Sequence, residues 1–119
     1  MKISIREGAG ARRKDVRAHV ERRLDFALSG FHERIGSVTV RLSHDEPAHA
    51  GGVAMKRCEI EVRLRPRSVG VKDTDADLLV AIDNATRRLQ RSLTRTLEQE
   101  SAAATADQPR PAGRARPRR

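Results

Sequence analysis

The chain has 119 residues, enough for one compact domain, and its 25 lysines and arginines against 16 acidic residues give a net charge of +9. That balance points to a polyanionic partner. No stretch approaches the roughly 20 apolar residues of a membrane span, and a single cysteine, Cys58, excludes an internal disulfide or a cysteine-rich zinc site.

Lys2-Ile3-Ser4-Ile5-Arg6 alternates with period two and predicts a first strand, Ile3 and Ile5 facing inward. Because Met1-Lys2-Ile3 leads into this strand rather than a signal peptide, a cytoplasmic protein is expected. From Lys14 to Ser29 the period becomes helical, with Val16, Val20, Leu24, Ala27 and Leu28 on one face and Gly30 as the stop. Val38, Val40 and Leu42 alternate with polar residues and predict a second strand. Cys58, Ile60, Val62 and Leu64 predict a third, which makes Cys58 a small core residue. Between them, His44 to Met55 is expected to be a mobile connection. Pro66-Arg67 marks a tight turn into a short fourth strand around Val69 to Lys72.

Thr74 with Asp77 three residues later is a helix-start signal. Leu78, Ile82, Ala85, Leu89, Leu93 and Leu97 then mark an apolar stripe lasting to about Glu98. After it the sequence turns to alanine, proline and arginine. The expected organisation is therefore a domain over residues 1–100 and a disordered basic tail over 101–119, with five arginines and one aspartate. The order β-α-β-β-β-α predicts an α+β fold, a two-layer sandwich whose four-stranded sheet carries both helices on one face. The first two strands would be parallel, joined through the first helix.

At 100° per residue, Arg87, Arg88, Arg91 and Arg95 fall opposite the apolar stripe of the last helix, and the run from Ala85 to Leu97 contains no acid. An ordinary solvated face mixes signs for local pairing, so this stripe is a candidate RNA contact. The first helix adds His19, Arg22 and Arg23, with Glu21 and Asp25 close by. The two basic helix faces could join into one phosphate-binding surface. The outer sheet face, with Lys2, Arg6, Arg41, Arg63 and Arg65, ranks second because Glu59 and Glu61 interrupt it. Arginine outnumbers lysine 21 to 4, which suits bidentate phosphate recognition and would equally follow from a genome rich in G and C.

Phe26 and Phe31 are the only aromatic residues, and neither lies on a predicted strand. Recognition is therefore expected to rest on phosphate backbone and RNA shape rather than on base stacking. Nothing suggests catalysis or a cofactor. His44, Asp45, Glu46 and His49 lack ligand spacing, Asp15 and His19 have no accompanying nucleophile, and no glycine-rich phosphate loop is present.

Three segments carry a resemblance to the hibernation-promoting factor family, also called the ribosome-associated inhibitor or sigma-54 modulation family, in its short form. Val16 to Leu24 resembles its first helix, Val38 to Ser43 its second strand. Most specific is Ala76 to Leu93, with an acidic residue, a hydrophobic pair, Ala81-Ile82-Asp83 and a basic leucine-rich helix end. The likeness spans roughly residues 1–98. It implies a translation inhibitor that binds the rRNA of the small ribosomal subunit and occludes the mRNA and tRNA channel, monomeric off the ribosome, without a small-molecule substrate. Carried onto this chain, the family's basic helix faces fall on Arg22, Arg23, Arg87, Arg88, Arg91 and Arg95. The sequence departs from the family at Leu79, where tyrosine is common, and in the basic Gly8 to Arg13 stretch. Long members end in a dimerisation domain, which a 19-residue Pro/Arg tail is not expected to form. The older family name implies the alternative function, a protein-interaction modulator of transcription.

Overall fold

The computed structural model describes residues 2–7, 14–45, 51–52, 54–64 and 66–106. Strand β1 (Lys2–Glu7) precedes helix α1 (Lys14–Ala27), whose buried face is Val16, Val20, Leu24 and Ala27. The helix closes through the Leu28 N–H bonded to the Leu24 carbonyl at 2.8 Å, and the chain turns at Gly30 with φ +89°. That left-handed conformation favours glycine and stops the helix there. A single 3-10 turn, His32–Arg34, leads into β2 (Ile35–Asp45), followed by β3 (Met55–Leu64), β4 (Ser68–Asp75) and α2 (Leu78–Ala106).

The four strands lie in the order β1-β2-β3-β4, β1 parallel to β2 and the other neighbours antiparallel. The register places Ile5 beside Val40, Val40 beside Ile60, and Ile60 beside Val71, so one face of the sheet is apolar from edge to edge. Leu24 and Leu28 from the α1 segment and Ile82, Leu89 and Leu93 from α2 join Val38, Val40, Leu42, Cys58, Val62 and Leu64 in one core. Fully burying each large aliphatic side chain contributes about 1.5–3 kcal/mol, which fixes both helices to this face. The expected two-layer α+β sandwich is the fold observed.

The long-range direction of the helices follows from the sheet. A crossover between parallel strands makes α1 run against β1 and β2. Because β4 is parallel to β2 through two antiparallel steps, and α2 returns along β4, α2 also runs against them. The two helices therefore point the same way.

Three boundaries differ from the sequence expectation. Strand β4 continues through Thr74 to Asp75, so Thr74 does not start the helix. Asp77 does: its Oδ1 accepts the Leu79 N–H at 2.9 Å and its carbonyl accepts the Ala81 N–H at 3.0 Å. Helix α2 runs to Ala106, six residues into the segment expected to be a tail, because alanine has the highest helix propensity. The β2–β3 connection is shorter than expected, since His44 pairs with Lys56 and Asp45 with Met55. Residues 107–119, Arg65, Glu46 and His49 lie outside the described residues.

Candidate nucleic-acid interface

Burial of Ala81, Ile82, Ala85, Leu89 and Leu93 sets the rotation of α2 and leaves Arg87, Arg88, Arg91 and Arg95 exposed. These four, with Asn84 and Ser92, form one wall of an open groove of about 990 Å³. The edge strand β4 from Gly70 to Asp73 and the outer sheet face at Thr39, Arg41, Glu59 and Glu61 line the rest of it. The helix and the outer sheet face thus meet around the β4 edge.

Only one of the four helix arginines is held in place. Arg88 Nε lies 2.9 Å from Asp73 Oδ2, tying α2 to β4. Among the described residues, Arg87, Arg91 and Arg95 form no ion pair, so their charges remain available to a ligand. Arg22 and Arg23 do not line the groove. Arg22 is exposed on α1, whereas Arg23 Nε is 3.1 Å from Asp83 Oδ1, the same oxygen that contacts His19 Nε2 at 2.7 Å. Asp83 therefore joins the helices and offsets part of the α1 charge. The six expected arginines divide into four that line the groove and two on α1 that do not.

By sequence the outer sheet face is a separate, weaker surface, yet the structure joins Arg41 and Lys72 to the helix arginines in one opening. Alternation showed which residues face outward, but nothing local showed that α2 borders the same opening. Lys2 and Arg6 stand on β1, at the far edge, and Arg63 is exposed outside the groove. Neither phenylalanine lies on the sheet: Phe26 is exposed on α1, and Phe31 packs half-buried against the core.

Glu100 forms a second tie, at the distal part of α2. Its carboxylate contacts Arg34 Nη2 at 2.6 Å and Arg67 Nε at 3.6 Å, linking the 3-10 turn and the β3–β4 turn to the helix. Cys58 is fully buried, and burial together with Glu59 and Asp73 pushes its thiol up to about 12. It is an inert core residue, as its alternating neighbours predict. Among the described residues no group of three or more potential ligands could hold a metal ion, and no helix is long and apolar enough to cross a membrane.

The fold resembles that of a ribosomal subunit interface protein from Coxiella burnetii, with a TM-score of 0.68 at 14% identity over 82% of this chain and 99% of that one. It also resembles the N-terminal domain of Thermus thermophilus Protein Y, with a TM-score of 0.60 at 30% identity over 80% of this chain and 94% of that one. No match is found among curated protein sequences. Residues 11–101 match the family described as sigma 54 modulation protein / S30EA ribosomal protein, a span that takes in α1, the three strands after it and nearly all of α2 up to the Glu100 tie, and the chain belongs to that family.

Proposed function

We propose that the protein is a ribosome-associated translation inhibitor that binds the rRNA of the small subunit and occludes the channel used by mRNA and tRNA. The observation that carries this reading is the groove wall on α2, where Arg87, Arg91 and Arg95 stand exposed and unpaired on a helix fixed by its buried opposite face. Membership of a family described as ribosomal supports the same partner. The role is one of occupancy: arginine–phosphate contacts hold the domain in place, and the bulk of the sandwich excludes other RNA. No chemical step is involved. The protein works in the cytoplasm, as a monomer when off the ribosome, and the arginine-rich residues 107–119 add attraction without sequence information.

Sedimentation with purified small subunits tests the proposal. The protein should pellet with them at low salt, be released as salt rises, and be displaced by mRNA or tRNA. Failure to pellet, or binding indifferent to both competitors, would defeat the occlusion reading and favour the transcription-modulator alternative.

A further inference from the structure

The groove is not uniformly basic. Glu59 and Glu61 line the opening from the outer sheet face together with arginines, and among the described residues neither carboxylate is ion-paired. Their settings differ. Glu59 stands in register between Arg41 on β2 and Lys72 on β4, so its charge is offset from both sides. Glu61 stands between Thr39 and Gly70, a short side chain and none. Glu61 is thus an exposed acceptor with open space on its β4 side, lining the same opening as the unpaired arginines of α2.

A surface built only for phosphate would gain nothing from a carboxylate there, since phosphate and carboxylate repel. The arrangement suits a ligand with an anionic side and a hydrogen-bond-donating side. A single RNA strand has both, because its phosphates can turn to one wall and an unstacked base to the other. A carboxylate only accepts hydrogen bonds, so it selects bases by their donors. Guanine offers two parallel donors, N1–H and the N2 amino group, which match the two oxygens of one carboxylate. Uracil offers a single N–H.

We propose that the groove takes a single strand of RNA, with its phosphates on Arg87, Arg91 and Arg95 and an unpaired guanine presented to Glu61. This rests on the RNA-binding reading above and adds base selection to it. Thr39 and Gly70 leave room for the base, and the guanidinium of Arg41 lies on the same wall to cover its face. The expectation of weak base readout, drawn from the scarcity of aromatic residues, changes accordingly: selection here comes from a hydrogen-bond acceptor, which needs no aromatic platform.

The test uses labelled ten-nucleotide strands of uridine carrying at the centre guanosine, inosine or a further uridine, with affinity read by fluorescence anisotropy on the full chain. Inosine lacks the N2 amino group and removes one donor while leaving the protein untouched. The wild-type protein should favour the guanosine strand over the other two by about tenfold, the discrimination expected of one bidentate contact. Glu61→Gln should bind all three alike, because an amide offers one acceptor and one donor in place of two acceptors. Glu59→Gln changes the charge equally and should keep the preference. Equal affinity of the wild-type protein for the three strands, or a preference that survives Glu61→Gln, would overturn the proposal. The ribosomal reading is tested separately by sedimentation: pelleting with subunits alongside three equal strands would refute base selection alone, and a guanosine preference without pelleting would refute the ribosomal role alone.

Discussion

Neutralising Arg87, Arg91 and Arg95 together, as a triple alanine variant, should separate electrostatic attraction from every other contribution to binding. All three are exposed and unpaired, so their loss should leave folding stability within about 0.5 kcal/mol of wild type. Arg88 is left intact because its pairing with Asp73 would confuse binding with stability. Each phosphate contact to a single strand contributes about 0.7 to the slope of log affinity against log salt, so removing three should flatten that slope by about 2. Referred to 1 M salt, where this contribution vanishes, the variant should bind about a hundredfold more weakly at 0.1 M and about twenty-fivefold more weakly at 0.2 M. Affinity for small subunits measured across a salt series, with thermal unfolding alongside, reads both quantities. A deficit independent of salt would show that the arginines act other than by phosphate contact, and a lowered melting temperature would show that they support the fold.

Leu89→Ala removes a fully buried side chain from the centre of α2 and should cost about 2–5 kcal/mol, seen as a large drop in melting temperature. Asp83→Asn breaks the charged junction to His19 and Arg23; because these groups are partly solvated the loss should be about 1 kcal/mol, measured by denaturant unfolding. The raised thiol of Cys58 predicts a pH effect of definite sign. The unfolded chain ionises this group near 9.0 and the folded chain only near 12, so the stability it supports is intact below pH 9 and declines as pH rises toward 12. Subtracting the pH dependence of Cys58→Ala should isolate that decline, and parallel curves for the two proteins would contradict it.

The sheet and helix cores were legible because their signals are local. Val38, Val40 and Leu42, or Leu89 and Leu93, announce a buried face from spacing alone, and each is buried. Strand β4 is only half legible for a physical reason: beyond Val71 its inward positions are Asp73 and Asp75, half-buried at the sheet edge, so no apolar alternation marks its second half. The apolar stripe of α2 stops near Leu97, whereas its last turns are rich in alanine, whose helix propensity leaves no periodic mark in the sequence. The arginine stripe was visible on a helical wheel, but its setting was not. That Arg23 meets Asp83, 60 positions away, and that Glu59 and Glu61 share an opening with α2, depend on how the sheet is ordered and where the helix lies on it. No spacing within a single segment encodes either.

Strand β4 ends the sheet with unpaired backbone groups, the kind of edge through which two proteins can zip together. Here the border of that edge carries Arg87, Arg88, Arg91 and Arg95 from the neighbouring helix, with Lys72 on the strand itself. Two copies approaching β4 to β4 would bring these like charges together before any backbone hydrogen bond could form. The same side chains that would attract RNA would therefore oppose pairing of two copies through β4. That protection is electrostatic, and at 1 M salt, where screening shortens to about 3 Å, it is largely lost. A salt concentration high enough to weaken phosphate contacts would thus weaken this guard against self-association in the same step.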